Sequence, residues 1–161
     1  MSEVEQPNLN FDDLFDKYFN GREWLNLNEK MINSVPEKSG VYVIKATANG
    51  TDRKIPHLRG VDNQGIILIG ETHGEKTGLR TRLTTFYKVC NGGNGYHSEG
   101  GTYYDTKEFQ EKSYFPLDGL CFIYCEQSGG DAKKIERRLL IKFFKKFLSG
   151  PPLNLKMPLT Y

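Results

Sequence analysis

The sequence predicts an α+β domain in which three short strands are surrounded by helices. Residues 40–44 and 66–70 are β-branched and aliphatic runs that are apolar on both faces, as interior strands usually are. A third apolar run, residues 120–125, supplies the remaining strand. After a Gly-Gly break, residues 131–148 show the apolar spacing of a long amphipathic helix, which Asp131 can cap.

Two more helices and two longer connections follow from composition and spacing. Residues 10–21 contain a capping asparagine, apolar positions at helical spacing and a terminating glycine. Apolar residues also recur at helical spacing over residues 79–90. Residues 47–64 are polar and contain glycine and proline, so we expect an exposed connection. Residues 91–116 are rich in glycine and aromatic side chains and form an insertion, with a short helix near residues 107–112.

Length and composition are those of an ordinary globular protein. The 161 residues suit one domain, residues 1–161, and the formal charge of +2 permits nucleic-acid binding without requiring it. No run of about 18 apolar residues is present, and the acidic N-terminus lacks an apolar signal segment. Three cysteines, an odd number, favour a reducing compartment and buried thiols over a disulfide framework. We therefore expect a cytoplasmic protein without a membrane partner.

One carboxylate in the last predicted helix departs from the pattern around it. At about 100° per residue, Leu139, Leu140 and Phe143 form one apolar stripe. Glu136 points along the middle of the same stripe. Burying an ionised carboxylate is costly unless it is paired or bound to a metal. Glu136 is therefore either the partner of a buried arginine or tyrosine, or an acid at the floor of a cleft.

The basic residues of the same helix allow two interpretations. They flank or oppose the apolar stripe, so they form either an ordinary solvated face or a surface that faces phosphates. The spacing leaves both interpretations open. These residues are Lys133, Lys134, Arg137, Arg138, Lys142, Lys145 and Lys146.

Five short motifs, in order along the chain, resemble the signatures of the GIY-YIG nuclease superfamily. Gly40-Val41-Tyr42 begins one predicted strand, and Leu68-Ile69-Gly70 ends the next. Leu79-Arg80-Thr81-Arg82-Leu83 resembles the helix that carries the family's arginine. Glu136 on the late helix and Leu153-Asn154 beyond it complete the order. Each motif alone is weak, but their order on the matching predicted elements is a stronger indication.

The resemblance implies a fold and a division of the chain. It spans about residues 36–155, so residues 1–35 are an N-terminal helical extension and residues 91–116 an insertion into the core. The implied core is a small three-stranded antiparallel sheet flanked by helices. The insertion either reads a DNA sequence with its aromatic and amide side chains or packs as a cap over the small core.

The resemblance also implies metal-dependent cleavage of phosphodiester bonds. Glu136 would hold one divalent ion, Mg²⁺ or Mn²⁺, whose charge stabilises the scissile phosphate. Tyr42 would activate the attacking water, and a phenol with a pKa of about 10 needs a nearby cation or metal to do so. Arg82 would contribute a fixed positive charge to the phosphate. The structural alternatives are an ordinary strand aromatic at Tyr42 and an exposed helix charge at Arg82.

Four further residues are assigned to substrate contacts: His73, Lys76, Arg80 and Asn154. Arg80 and Arg82 lie at similar angles to the apolar stripe of their helix, so Arg82 is preferred as the catalytic arginine from its motif context alone. His73 and Lys76 lie in a loop that is longer than usual in the family, and they are positioned to touch a phosphate or the metal. Asn154 either anchors the site by hydrogen bonding or simply caps a turn.

Two positions depart from the family pattern. Leu68 stands where the second motif usually has a tyrosine, so full activity is in question. The candidates for the vacant space are Tyr87, Tyr96, Tyr103 and His73. Phe86 stands one turn after Arg82, where several relatives have a histidine. His97 is the candidate to replace that histidine as general base or proton shuttle, because histidine titrates near neutrality; the alternative is a surface-loop histidine.

Two functional classes follow. The first is a stand-alone restriction-type or phage endonuclease on double-stranded DNA, in a bacterial cell or a phage-infected host. Such an enzyme would act as a homodimer or higher oligomer, because two-fold DNA symmetry is matched by two-fold protein symmetry. The second is a catalytically impaired protein of the same fold that binds nucleic acid or a protein partner. A small-molecule enzyme is disfavoured, since the chain lacks a phosphate-cradling glycine motif and a nucleophile with an adjacent base.

Overall fold

An antiparallel sheet with helices on both faces organises residues 8–74, 76–106 and 115–156, which are the residues that the computed structural model describes. The strands in chain order are β1 (Leu25–Asn26), β2 (Gly40–Ala48), β3 (Thr51–Asp52), β4 (Ile55–Pro56), β5 (Val61–Asp62), β6 (Ile66–Thr72) and β7 (Leu120–Glu126). The central strand β2 pairs with β6 on one side and β7 on the other. These three long strands are the predicted ones.

The main sheet has five strands rather than the three predicted. The order is β1-β7-β2-β3, with β6 paired to β2. Strands β1 and β3 are only two residues long, and each adds backbone hydrogen bonds beside a longer strand. Such short pairings leave no apolar run in the sequence, so periodicity does not reveal them. The fold is nevertheless α+β, with a small antiparallel sheet flanked by helices.

Five α-helices lie among the described residues, besides a short 3-10 helix at Leu117–Gly119. They are α1 (Phe11–Phe19), α2 (Glu29–Asn33), α3 (Leu79–Cys90), α4 (Ser98–Asp105) and α5 (Gly129–Phe147). Helices α1, α3 and α5 were predicted, whereas α2 and α4 were not. The short helix expected at residues 107–112 falls outside the described ranges. Within those ranges, no helix combines the length and apolar character needed to cross a bilayer.

Helix α5 begins earlier than its sequence suggests. Its N-cap is Ser128, whose side chain accepts a hydrogen bond from the backbone N–H of Asp131, so the prediction of Asp131 as the cap is wrong. The Gly-Gly pair belongs to the first turn instead of breaking the chain. A Cβ atom at Gly129 would lie 2.7 Å from the carbonyl oxygen of His73, so this glycine permits a close approach of α5 to the chain after β6.

Alternate residues of β2 bury two different cores. Val41 and Val43 face the cluster that contains α1 and α5. Tyr42 and Ile44 face the opposite cluster, which contains α3. This arrangement explains why the strand is apolar on both faces, and it directs Tyr42 toward α3.

The expected exposed connection at residues 47–64 contains a small hairpin that closes the end of α5. Strands β4 and β5 pair with each other. Beyond β4, the backbone N–H of Arg59 donates to the carbonyl of Phe147 at 2.9 Å, and Arg59 Nε donates to that of Lys146 at 3.1 Å. The last carbonyls of a helix have no partner within the helix, so this contact satisfies them and places a positive charge at the negative helix end.

Candidate active site

Polar contacts fix the N-terminal end of α3 against the chain that enters β2. Arg80 Nε donates to the carbonyl of Val35 at 2.7 Å. Thr81 donates its hydroxyl to the Glu37 carboxylate at 2.6 Å and its backbone N–H at 3.2 Å. Arg80 therefore helps to hold the helix against the chain that enters β2. Arg82 is the arginine whose charge acts on Tyr42.

The Tyr42 side chain lies across Gly70, with its hydroxyl above β6. Tyr42 is 2% exposed, and it is the register partner of Gly70 between β2 and β6. A Cβ atom at residue 70 would approach both Cζ and Oη of Tyr42 to 2.4 Å, which is too close for any real contact. The glycine of the second motif is therefore needed to leave room for the phenol. Within the described chain β6 pairs with β2 alone, so the hydroxyl lies at one edge of the sheet.

Two helices bring polar side chains to the Tyr42 hydroxyl. His97 Nε2 lies 3.4 Å from Tyr42 Oη. Glu99 Oε2 lies 3.2 Å from His97 Nδ1 and 3.9 Å from Arg82 Nη2. His97 is only 2% exposed, so the alternative of a surface-loop histidine is wrong. Its ring packs edge-on against Phe86, with 5.0 Å between ring centroids. A histidine was expected at the Phe86 position of α3 from the family pattern; here the imidazole lies beside that position but comes from the N-cap of α4.

Glu99 is the residue of this cluster that sequence reasoning missed. It lies in the first turn of α4, directly after His97 and Ser98. Helix α4 packs closely on α3 at Gly100, where a Cβ atom would lie 3.2 Å from the Phe86 carbonyl oxygen. The sequence signal for this packing was the Gly100-Gly101 pair, because glycine lets two backbones approach. That signal indicates close contact but does not say with which element.

Burial and neighbouring charges set the protonation of these groups. Desolvation raises the pKa of Tyr42 far above its ordinary value, although Arg82 acts against the shift. Desolvation lowers the pKa of His97, and Glu99 opposes this. For Glu99, burial alone would raise the pKa, but hydrogen bonds with His97 and Ser98 outweigh it and lower the pKa to about 2. At neutral pH, Tyr42 and His97 are therefore neutral and Glu99 is charged.

Glu136 approaches the cluster from α5, which packs on the other face of the sheet. Its side chain is half-buried, and in the described part of the chain its carboxylate has no hydrogen-bond or ion-pair partner. Burial, followed by the negative charges of Glu71 and Glu99, raises its pKa to about 7, while Lys133 and Arg82 act in the opposite direction. A half-buried carboxylate beside like charges is an environment that a bound cation would relieve.

The remaining residues predicted to contact substrate are His73, Lys76 and Asn154. His73 is exposed and its Nδ1 lies 2.8 Å from Glu71 Oε1, while Lys76 is exposed in the loop before α3. Asn154 accepts the backbone N–H of Ile69 and donates to the carbonyl of the same residue, both at 2.9 Å. Asn154 thus anchors the C-terminal segment to β6 by hydrogen bonding, and its contact with substrate stays a prediction.

The three tyrosines expected as substitutes for the one that Leu68 replaces, Tyr87, Tyr96 and Tyr103, have other surroundings. Leu68 is buried in the same core as Tyr42. Tyr103 is buried as well, but it donates its hydroxyl to a backbone carbonyl at 2.6 Å. Tyr96 is exposed, and Tyr87 lines a separate groove beside α2. The polar side chains that the structure provides for the Tyr42 hydroxyl are His97, whose Nε2 is 3.4 Å away, and Arg82.

The oxygen atoms near Glu136 suit a hard divalent cation. Among residues 8–74, 76–106 and 115–156, no group of three or more His, Cys, Asp or Glu side chains is arranged to hold a metal ion. Mg²⁺ needs fewer protein ligands, because it commonly binds through one or two carboxylates and completes its shell with water and substrate phosphates. Glu136, with Glu71 as its neighbour, fits a site of this kind for Mg²⁺ or Mn²⁺.

Comparisons with known proteins give no relative: no family model, no curated protein and no solved structure matches this chain. The resemblance to the GIY-YIG superfamily stays a prediction from five motifs. Independently of it, the fold brings together Tyr42, Arg82, His97 and Glu136, which the sequence had singled out in four separate segments.

Proposed function

We propose that the protein is a metal-dependent endonuclease that hydrolyses phosphodiester bonds in double-stranded DNA. The observation that carries the proposal is the convergence of Tyr42, Arg82 and Glu136, which come from β2, α3 and α5. These are the three residues to which the GIY-YIG resemblance assigns catalysis. Motifs that matched by chance would have no reason to bring a phenol, a guanidinium and a carboxylate to one edge of a sheet.

Each of the three side chains has a role that suits its surroundings. Arg82 would contribute its positive charge to a phosphate, because its side chain is 30% exposed and its ion pair with Glu99 is long at 3.9 Å. Glu136 would hold Mg²⁺ or Mn²⁺, whose charge stabilises the scissile phosphate and the leaving oxygen. Tyr42 is protonated at neutral pH, so it orients the attacking water by a hydrogen bond and accepts a proton only as it passes its own proton on.

The exposed basic residues at the start of α5 provide a surface for the DNA backbone. Lys133 lowers the pKa of Glu136, so its positive charge lies near the cluster. Lys134 and Arg137 are exposed on the same part of the helix. Further along, Lys146 pairs with Asp12 of α1 at 2.8 Å and supports helix packing instead. The phosphate-facing interpretation of the basic residues is therefore proposed for the first two turns of α5.

One observation favours a second candidate function. Leu68 stands at the position of the second-motif tyrosine, and the candidate Tyr103 uses its hydroxyl on a backbone carbonyl instead. A protein that has lost this group would bind nucleic acid, or a protein partner, through the same surface without cutting. The two candidates differ in one measurable property, which is strand cleavage in the presence of a divalent ion.

The test is incubation of the purified protein with plasmid and phage DNA in Mg²⁺ or Mn²⁺. We expect cleavage that EDTA abolishes and that Glu136→Gln lowers by about 100-fold or more. The matched control is Glu126→Gln, since the Glu126 side chain is 43% exposed at the end of β7 and pairs only loosely with Lys38, at 3.7 Å. Intact DNA together with a gel shift would favour the binding protein, and intact DNA without a shift would overturn the nuclease and the nucleic-acid-binding candidate alike.

A further inference from the structure

A chain of three side chains leads from the Tyr42 hydroxyl to the first turn of α4. The two ring nitrogens of His97 face different partners: Nε2 is 3.4 Å from Tyr42 Oη, and Nδ1 is 3.2 Å from Glu99 Oε2. The His97 side chain has no exposed surface, so its protons are set by these neighbours and not by bulk water. The imidazole thus connects a phenol at the sheet edge with an ionised carboxylate.

Whether Nδ1 carries a proton decides whether Nε2 of His97 can accept a proton from Tyr42. Nδ1 also lies 3.2 Å from the backbone nitrogen of Gly100, which can donate to it only when Nδ1 carries no proton. In that tautomer Nε2 holds the proton and cannot accept one from Tyr42. When Nδ1 carries the proton, it donates to Glu99, and the lone pair of Nε2 faces the Tyr42 hydroxyl.

The charge on Glu99 selects between these tautomers. An ionised carboxylate 3.2 Å from a nitrogen lone pair is repelled, whereas the same carboxylate beside an N–H group accepts a charge-assisted hydrogen bond. The competing Gly100 N–H is a neutral donor and therefore a weaker influence. The hydrogen bond from the Gly100 N–H to Nδ1 caps α4 and favours the opposite tautomer, so it is the charge of Glu99 that favours a proton on Nδ1. A proton on Nδ1 is the arrangement that orients histidine in hydrolytic triads.

We propose that Glu99 is a positioning residue that holds His97 in the tautomer whose Nε2 accepts the proton of Tyr42 during phosphodiester hydrolysis. This inference rests on the proposed nuclease function and adds to it a carboxylate from the 91–116 insertion. The insertion is then part of the catalytic apparatus, in addition to any contact it makes with DNA.

The proposed step balances without a free phenolate. The oxygen of a water molecule bonds to phosphorus while that water gives a proton to Tyr42 Oη, and the original phenolic proton moves to His97 Nε2. The bond from phosphorus to the leaving oxygen breaks, and that oxygen keeps the electron pair and takes a proton from solvent. His97, now doubly protonated and paired with Glu99, returns its proton to solvent through Tyr42 after the product leaves.

The charges around His97 are consistent with this route. Tyr42 faces it from β2, Arg82 and Phe86 from α3, and Glu99 from α4. Of these groups, Arg82 opposes a positive imidazolium and Glu99 favours it. Without Glu99, His97 would lie buried beside a guanidinium with no compensating charge. Proton transfer from Tyr42 would then create an unpaired buried cation, which is costly.

The first test is the tautomer of His97 in the metal-free protein without DNA, measured from the ¹⁵N chemical shifts of labelled histidine. The chain has three histidines, so the His97 signal is assigned with a His97→Gln variant. We expect a proton on Nδ1 in the wild type and a shift to the Nε2 tautomer in Glu99→Ala. The matched control is Ser98→Ala, which removes a 2.8 Å hydrogen bond to Glu99 Oε2 and leaves the carboxylate in place, so its tautomer should not change.

The second test is the rate of DNA cleavage by Glu99→Ala, by His97→Ala and by the double variant. The rates are compared between proteins that bind DNA with equal affinity. We expect Glu99→Ala and His97→Ala each to lower the cleavage rate by about 10- to 100-fold, and the double variant to lose little more, because groups that act as a unit are non-additive. A wild-type Nε2 tautomer overturns the inference whether or not DNA is cut, and it does so even if Glu99→Ala fails to fold. If the proton is on Nδ1 but the protein cuts no DNA, the proposed nuclease function fails and this inference fails with it. The failure of the tautomer and the failure of the proposed function are therefore distinguishable.

Discussion

The Glu136 carboxylate becomes charged only at a cost to folding. Its pKa of about 7 lies above the ordinary value of 4.5, because of burial and the negative charges of Glu71 and Glu99. Between these two pH values the unfolded chain releases a proton that the folded chain retains. Since the unfolded state then binds fewer protons, the free energy of unfolding falls as the pH rises from about 4.5 to about 7 and is constant above that.

A neutral isostere should remove this cost. We expect Glu136→Gln to stabilise the metal-free protein at pH 8 by about 1–2 kcal/mol, which is roughly 3–6 °C in Tm, and to have no stabilising effect at pH 4. Thermal unfolding of both proteins at the two pH values measures the effect. A lower Tm for Glu136→Gln at pH 8 would mean that the carboxylate is stabilised in the folded protein, which is contrary to its surroundings in the structure.

The two neighbouring arginines of α3 are expected to affect different properties: Arg82 the cleavage activity and Arg80 the stability. Arg82 acts on Tyr42 and lies 3.9 Å from Glu99, whereas Arg80 is bound to the carbonyl of Val35. We expect Arg82→Ala to lower the cleavage rate by about 100-fold or more, and Arg80→Ala to cut at a near-normal rate but to lose about 1 kcal/mol of stability. Cleavage assays and thermal melts of the two variants check this. The opposite pattern would assign the catalytic role to Arg80, a choice that periodicity alone could not make.

At the scale of elements, the pairing of β2 with β6 places the phenol. A methyl group at residue 70 would overlap the Tyr42 hydroxyl, which is 2.4 Å from the Cβ position, while a methyl group at Gly101 in α4 would meet nothing within 4 Å. We expect Gly70→Ala to destabilise the fold by about 1–3 kcal/mol through overpacking and to impair cleavage. Gly101→Ala should stabilise the protein by about 0.5–1 kcal/mol and keep its activity. Equal melting temperatures for the two variants would show that the ring is not confined by Gly70.

The helices and strands that the sequence predicts are determined by their own residues, whereas those that it misses are determined by contacts with distant segments. Strands β2, β6 and β7 and helices α3 and α5 have long apolar patterns, so their own residues specify them. The hairpin of β4 and β5 depends on Arg59 meeting the end of α5, and α4 depends on Gly100 fitting against α3. Such contacts join segments far apart in the chain, and no local pattern encodes them.

The site residues also divide into those that the sequence indicates and those that depend on contacts between distant segments. Tyr42, Arg82 and Glu136 were proposed from motif resemblance, and the unusual position of Glu136 on an apolar stripe was visible without it. The burial of His97 and the role of Glu99 were not visible, because both depend on how α4 docks against α3. A carboxylate two positions after a histidine is common in loops and carries no signal before that docking is known.

At the scale of the whole molecule, the proposed nuclease would have one catalytic cluster per chain, and this sets the assembly that we expect on DNA. Cutting both strands of a duplex with one site per chain requires two chains related by the two-fold symmetry of the duplex. We expect a dimer on a short duplex, measured by light scattering or ultracentrifugation, and linear plasmid as the product at protein concentrations that support the dimer. A protein that stays monomeric on DNA and only nicks plasmid would contradict this expectation.

The measurement that tests the central claim most directly is the Mg²⁺-dependent cleavage rate of a duplex by Tyr42→Phe, Glu136→Gln and the double variant. If Tyr42 and Glu136 act in one hydrolytic site, each single variant should lose about 10²- to 10³-fold in rate, and the double variant should lose little more than either alone. Independent losses that multiply in the double variant, or normal cleavage by Tyr42→Phe, would contradict a common site.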